Sequence, residues 1–375
     1  MKTPTKSVTI KNAEVVLPDA VHTVDVHLKD GKIFAIGSHS DFNAEEVVDA
    51  TGLTLMAGVI DPQVHLRDPG MTHKEDLATG SRAAAAGGVT TFFEMPNTRP
   101  ATTTRALMEE KKTIAREKCV VNYNFFIGAT KDNFSELDSV PNVPGIKVFM
   151  GSSTGDLLVD KHNDIENIFA HTRRRIVVHA EDEEILNAQK QYIVPGKNFA
   201  QHPDIRPASA ALKATQFAVA MAEKYNHPLH VLHLTTKDEV DFLAPKIGKL
   251  ITTETSPQHL WFSSPEIYDR LGSFAQMNPP IRTADHRDAL RRGIKSGIID
   301  IIATDHAPHT REEKAQDYPK APSGMPGLET SLAAILTLRD TLGISLVQVS
   351  QIMAANAARI YGIKNRGSIA VGHYA

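Results

Sequence analysis

The chain has 375 residues, 17 of them His and one of them Cys, so any metal it binds is held mainly by imidazole and oxygen, and intrachain disulfides and cysteine-rich zinc modules are excluded. Lys plus Arg is 41 and Asp plus Glu is 44, a formal charge of -3, which predicts no broad attraction to nucleic acid or to an anionic membrane. A hydrophobic content of 41% is enough for a large core and argues against disorder.

The N-terminal stretch MKTPTKSVTIKNAEVV alternates polar and β-branched residues and has no apolar signal-peptide core. Nowhere do ~18 apolar residues run together, so the expectation is a cytoplasmic protein with no membrane span. Residues 7–58 contain VTIKNAEVV, TVDVHL, KIFAIG and TLMAG, separated by Asp, Gly and Asn turns, which reads as a small β unit. From residue 58, eight short apolar runs alternate with Ala-, Glu- and Lys-rich stretches long enough for helices. They are GVIDPQVHL (58–66), VTTFFEM (89–95), NYNFFIG (122–128), IKVFM (146–150), RIVVHA (175–180), LHVLHL (229–234), LITTE (250–254) and IDIIATD (299–305).

Most of these runs are too apolar for a half-exposed strand and read as parallel strands covered on both faces. Eight of them with intervening helices over roughly 300 residues predict an α/β fold, a (β/α)8 TIM barrel. An open doubly wound sheet is the alternative, weakened by the absence of a G-x-G-x-x-G turn after any strand. The expected layout is a β domain over 1–57, a barrel over 58–362 and a return to the β domain over 363–375. The closing GSIAVGHYA resembles the start of a further β element, which either joins the N-terminal β unit or is cut short.

In such a barrel the chemistry gathers at the C-terminal ends of the strands. Strand 1 ends in Gln63, His65 and Arg67, strand 2 in Asn97, strand 5 in His179, strand 6 in His233 and strand 8 in Asp305, while strand 4 carries Lys147. A single strand-end His is more often structural than a ligand, but convergence of several on one rim points to a site. Gln63 and His65, two apart on a strand, face the same way. His179 and His233 can reach one ion, with Asp305 as oxygen ligand and proton acceptor. Lys147, charged and buried, is costly unless it snorkels, pairs, or takes up carbon dioxide to become a carbamate oxygen ligand.

The segments DPQVHLRDPG, ATGSRAAAAGGVTTFFEMPNTRP, IVVHAED, HVLHLTT, MNPPIR and IATDHAPH together resemble the dihydroorotases of the metal-dependent amidohydrolase superfamily, from about residue 50 to the end of the chain. The resemblance implies a barrel flanked by a β domain built from both chain ends, and reversible hydrolysis of dihydroorotate to N-carbamoyl-L-aspartate in pyrimidine synthesis. It implies His65, His179, His233 and Asp305 as metal ligands and Lys147 at the position of a carboxylated lysine, with one or two zinc ions per chain. It implies Arg67, Asn97 and His309 as the clamp on the substrate carboxylate, and Asn278 and Gly324 as further substrate contacts. The implied mechanism is attack by hydroxide generated on the metal, with Asp305 taking the proton and passing it to the leaving ring nitrogen.

The chain departs from the H-x-H of many superfamily members by carrying Gln63 before His65, a Q-x-H also found in some bacterial dihydroorotases. A neutral amide oxygen is a poorer zinc ligand than imidazole, so the strand 1 side of the site should be weakened. Two other readings compete. An allantoinase or hydantoinase shares the barrel and metal logic, but MPNT at 95–98 differs from the M-P-L-N of allantoinases, and a hydantoinase has little need of Arg67. A catalytically silent scaffold for aspartate transcarbamoylase is motivated by Gln63, whereas retention of the remaining residues argues for an active enzyme, with a homodimer as the expected assembly. The other histidines read as structural: His230 faces away from His233, His259 packs near Trp261, and His306 lies behind the rim. His73, Lys74 and Glu75 read as solvated or capping residues opening helix 1, and 310–326 as a polar loop covering the mouth.

Overall fold

The computed structural model describes residues 6–153, 157–248 and 250–375. Contacts divide the chain into two units, residues 1–60 with 335–375, and residues 61–334.

The first unit is built on a five-stranded sheet of β1 (Val8–Val16), β2 (Val21–Lys29), β3 (Lys32–Ile36), β4 (Glu46–Asp49) and β5 (Thr54–Leu55). β1 pairs antiparallel with β2 and parallel with β4 and β5, and β3 pairs antiparallel with β2. Asn12 interrupts the β1 register with a left-handed φ of 62°, its backbone N–H donating to Asp25. Asn tolerates that conformation because its short amide bonds locally. Ala13, Val15, Val26, Ile33, Ala50 and Ile369 form the core of this unit. The tail carries on the sheet: Tyr374 bridges Lys32, Ile33 N–H donates to His373 O, and Gly372 N–H donates to Ile33 O. GSIAVGHYA thus joins the N-terminal unit through an isolated bridge and backbone bonds to β3, without forming a strand of its own. β4 was not among the expected elements, because EVVD is short and Val47 and Val48 are exposed, leaving no inward alternation to read.

The second unit holds parallel strands with helices between them, a mixed α/β arrangement. Each of the eight apolar runs contains a strand: β6 (Val59–Val64), β7 (Val89–Glu94), β8 (Asn122–Phe125) with β9 (Ile127–Gly128), β10 (Ile146–Phe149), β11 (Ile176–His179), β12 (Leu229–Val231), β13 (Ile251–Thr255) and β14 (Ile301–Ile302). β6, β7 and β8 are neighbours in one sheet, and β9 to β14 follow in order in another. Phe126 N–H donates to Glu94 O between the two sheets, and a parallel bridge joins Val64 to His306 just beyond β14. β10, β11 and β13 are buried at every residue, as expected where helices cover both faces.

Local chemistry fixes the helix starts that follow the strands. Asp76 caps Leu77–Ala86 and Thr236 caps Lys237–Leu243, each in a reciprocal capping box with the residue three positions on. Among the described residues no helix is long and apolar enough to cross a membrane.

Candidate active site

The strand ends deliver Gln63, His65, Lys147, His179, His233 and Asp305 to the wall of one small cavity, which the loop residues Asn278, Gly324, Ser153 and Ser323 also line. Three residues at this rim have left-handed backbones: Arg67 (φ 64°), His233 (φ 34°) and Asp305 (φ 47°). Such conformations are uncommon for residues with a Cβ and concentrate where side chains must be aimed at a site.

Asp305 Oδ1 accepts from Gln63 Nε2 at 3.2 Å and lies 3.1 Å from His65 Nε2. His65 Nδ1 in turn meets Asn97 Oδ1 at 2.7 Å, so Asn97 bears directly on the imidazole. Gln63 Oε1 is buried with no hydrogen-bond partner. Across the cavity His179 Nδ1 faces His233 Nε2 at 3.0 Å, and His179 Nε2 donates to Glu181 Oε2 at 2.9 Å. Burial pushes Glu181 up, but the Arg206 guanidinium and the His179 bond outweigh it and hold the carboxyl well below the ordinary range. With its proton committed to Glu181, His179 turns an unprotonated Nδ1 to His233 Nε2 at the cavity wall. Burial also lowers the pKa of His65, His179 and His233, keeping the imidazoles neutral.

Lys147 is fully buried on β10, its Nζ 4.5 Å from the centre of the Phe149 ring. Burial brings its pKa down to about 7 against the pull of Asp305 and Glu254. Glu254, at the end of β13, is pushed well above the carboxylate range by burial and bonds His230 Nε2 at 3.0 Å. Among the described residues no three His, Cys, Asp or Glu side chains form a metal-holding group on their own. The pairs His65 with Asp305 and His179 with His233 instead share the cavity wall with Lys147.

Arg67 is buried beside this cavity. Its Nε donates to Pro308 O at 3.2 Å and its Nη2 lies 3.2 Å from His309 Nε2. Burial lowers its pKa to about 10, so it remains a cation, yet among the described residues it has no carboxylate at ion-pair distance. The neighbouring Leu66 N–H donates to Glu94 Oε1, and Lys111 neutralises Glu94 at 2.9 Å, fixing the strand end between His65 and Arg67. Gly324 has a φ of +146°, and a Cβ there would stand 2.3 Å from Ala307 O and 3.0 Å from His309 Nε2. Only glycine fits that approach. Asn278 reaches the cavity with its Oδ1 3.0 Å from His202 Nε2.

Two expectations are corrected. The helix after β6 begins only at Leu77, so His73, Lys74 and Glu75 precede it. Lys74 and Glu75 are engaged at the rim: Lys74 Nζ meets His309 Nδ1 at 3.0 Å, and Glu75 Oε2 meets His306 Nε2 at 2.6 Å. Residues 310–326, expected as a polar loop, are not loop throughout. Thr310 caps a short helix, Arg311–Lys314, and the buried Lys314 donates to the carbonyls of Gln276, Pro322 and Gly324. Glu181 was within reach of sequence reasoning, since in IVVHAED it stands two residues after His179. Glu254 was legible as the carboxylate that ends the run LITTE, whereas Lys74 gave no signal beyond an ordinary charge.

The profile of the amidohydrolase family matches residues 54–375. The dihydroorotase of Methanosarcina mazei is 36% identical over 371 residues, covering 94% of this chain and 80% of that protein. The allantoinase of Streptomyces avermitilis is 33% identical over 377 residues, covering 97% of this chain and 83% of that protein. Among solved structures, the L-hydantoinase (dihydropyrimidinase) from Arthrobacter aurescens superposes with a TM-score of 0.93 at 31% identity, covering 99% of this chain and 86% of that one.

Proposed function

Because the chain belongs to the amidohydrolase family, we propose that it is a dihydroorotase, interconverting (S)-dihydroorotate and N-carbamoyl-L-aspartate in pyrimidine biosynthesis. It is a hydrolase acting on cyclic amides. The observation that carries the substrate assignment is Arg67: a buried guanidinium beside the histidine cavity, with no carboxylate paired to it among the described residues. Asp305, Glu94, Glu75 and Glu313 favour its charge without pairing with it, and a ligand carboxylate gripped by its fork of donors would complete that compensation. Dihydroorotate carries that carboxylate, whereas hydantoin and allantoin do not.

The metal reading is supported by the donor set. His179 Nδ1 accepts from His233 Nε2 at 3.0 Å on the cavity wall, and Gln63 Oε1 is an orphaned acceptor of the same wall; a cation that moves the His233 proton to its other nitrogen would be met by all three. Glu181 behind His179 is the usual partner of a metal-bound imidazole. His65, His179, His233 and Asp305 would hold zinc, with Lys147 as a carbamate and Gln63 as a weak ligand replacing the first histidine of H-x-H; one or two ions are bound. A lysine with its pKa near 7 has the neutral amine needed to add carbon dioxide, releasing a proton as the N–C bond forms. Zinc, when bound, supplies Lewis acidity that activates water and polarises the amide carbonyl.

The residues of the chain do the rest. Arg67 and His309 hold the substrate carboxylate, Asn97 orients His65 and borders the clamp, and Asn278 and the Gly324 backbone contact the ring. Asp305 Oδ1 is engaged by Gln63 and His65, leaving Oδ2 to take the proton of the attacking water and return it to the ring nitrogen as the amide C–N bond breaks. The same reading makes 58–362 a closed (β/α)8 barrel, supported by the Val64–His306 bridge, with 1–57 and 363–375 as its β domain. It includes a cytoplasmic location and a homodimer, the latter checked by light scattering.

A second reading, hydantoinase, draws on the backbone likeness to the Arthrobacter enzyme, but a shared fold does not carry substrate choice. The third, a silent scaffold for aspartate transcarbamoylase, rests on Gln63 alone. The deciding experiment assays zinc-loaded protein on dihydroorotate, N-carbamoyl-L-aspartate, hydantoin and allantoin. Turnover of the first two is expected. Faster turnover of hydantoin or allantoin overturns the dihydroorotase reading, and no turnover of any of the four overturns catalysis.

A further inference from the structure

Lys74 was read from the sequence as a solvated residue, and in the structure its side chain is mostly buried, 14% exposed. Its Nζ stands 3.0 Å from His309 Nδ1 and 3.1 Å from Glu313 Oε1. An ammonium can only donate, so the imidazole nitrogen facing it must accept. With Nδ1 accepting from Lys74, the single proton of neutral His309 sits on Nε2 and is donated to Ser323 O at 3.0 Å, an arrangement that leaves Arg67 Nη2, a donor 3.2 Å from the same nitrogen, without an acceptor there until a ligand carboxylate supplies one. Burial first, and then Arg67 and Lys74, hold the His309 pKa down to about 3, so the ring is neutral and the tautomer question has one answer at a time.

The competing partner for Nδ1 is Glu313, whose Oε2 stands 3.6 Å away and would accept a proton from it. Lys74 stands closer than that carboxylate, and Glu313 is committed to Lys74 through Oε1 and to the Thr310 N–H through Oε2. Removing the ammonium would leave the Glu313 carboxylate facing Nδ1 as an acceptor and draw the proton across the ring.

We propose that Lys74 is a positioning residue that fixes His309 in the Nε2–H tautomer, so that this nitrogen donates to the carboxylate of a substrate held by Arg67. The recognition half rests on the dihydroorotase reading, while the tautomer half does not. In the opposite tautomer Nε2 would present a lone pair to the incoming carboxylate and to Ser323 O, and the clamp would lose a donor and gain a repulsion.

The test joins two readouts on the zinc-loaded protein. Nitrogen-15 spectra of histidine-labelled protein, with the His309 signals assigned by their loss in His309→Gln, should show Nε2–H in the wild type and a shift toward Nδ1–H in Lys74→Met. The KM for dihydroorotate should rise about tenfold in Lys74→Met with kcat changed less than about twofold, and Lys74→Arg, which restores a donor-only cation, should recover both readouts. An Nε2–H tautomer that persists in Lys74→Met overturns the inference. A shifted tautomer with an unchanged KM overturns the recognition half. If the wild type fails to turn over dihydroorotate, the substrate reading fails, and the spectra still decide whether Lys74 sets the tautomer.

Discussion

His179 Nε2 donates to Glu181 Oε2 at 2.9 Å, and that one bond decides which nitrogen of His179 faces the cavity. Arg206 keeps Glu181 ionised, so the arrangement runs guanidinium, carboxylate, imidazole, cavity. Glu181→Gln keeps the shape but can present an amide N–H to the ring and release the tautomer. Zinc affinity should fall about 10- to 100-fold, read by competition with a chelator. Wild-type affinity in Glu181→Gln would remove this carboxylate from the metal reading.

Arg67 offers a planar fork that lysine lacks. Arg67→Lys keeps the charge and should still lose dihydroorotate binding, with about 1.5 to 3 kcal/mol missing from kcat/KM. Zinc content should stay at the wild-type level, because Arg67 donates to Pro308 O and lies beside His309, away from the cavity imidazoles. An unchanged kcat/KM would mean that the carboxylate is bound elsewhere.

Asp305 accepts from Gln63 and lies against His65, so Asp305→Ala leaves two buried polar groups without that partner but removes no apolar packing. Turnover should drop by about 10²- to 10⁴-fold, with the circular dichroism spectrum unchanged. Near-normal turnover would contradict its role in proton transfer.

The strands and the cavity were legible in the sequence because both are written in local pattern. Runs such as IKVFM and RIVVHA announce strands covered on both faces, and the polar residue at the end of each run is set by the period of two. What escaped were residues whose role depends on long-range approach. Lys74 meets His309 across 235 positions of sequence, and Glu75 meets His306 across 231. Neither charge differs in the sequence from a solvated one. The short helix within 310–326 escaped for the same reason: a Lys, Gly and Pro composition reads as loop, while Lys314 is buried by carbonyls that only the tertiary fold brings to it.

Burial holds His202 and His259 neutral, with pKa values of about 4. His259 sits between Ser256 Oγ and Pro279 O, and His202 between Tyr318 and Met277 O, so both are structural. In the unfolded chain each returns to about 6.5, and between these values the unfolded state binds protons that the folded state does not. Their stabilising effect is therefore complete above about pH 6.5 and is lost as the pH falls toward 4, by about 1.4 kcal/mol per pH unit for each ring. Calorimetric Tm should decline from about pH 7 to about pH 5, and more shallowly in His259→Gln. Equal slopes for wild type and variant would show that His259 is not titrating with unfolding.

Gln63 brings the question of metal number to a single atom. Its Nε2 is committed to Asp305, while Oε1 is buried with no partner, and an unsatisfied buried acceptor costs about 1 to 3 kcal/mol unless a cation or water meets it. If the strand 1 side is a weakened metal site, Gln63→His replaces a neutral amide oxygen with an imidazole nitrogen that zinc prefers. The zinc count per chain after dialysis against a mild chelator should then rise in the variant, read by elemental analysis. The loss of the Gln63 amide donor to Asp305 works in the other direction on turnover, so metal content and kcat should separate: more zinc, without a proportionate gain in rate. A zinc count equal to that of the wild type would mean that Gln63 lies outside the metal's reach and that its orphaned oxygen serves another ligand.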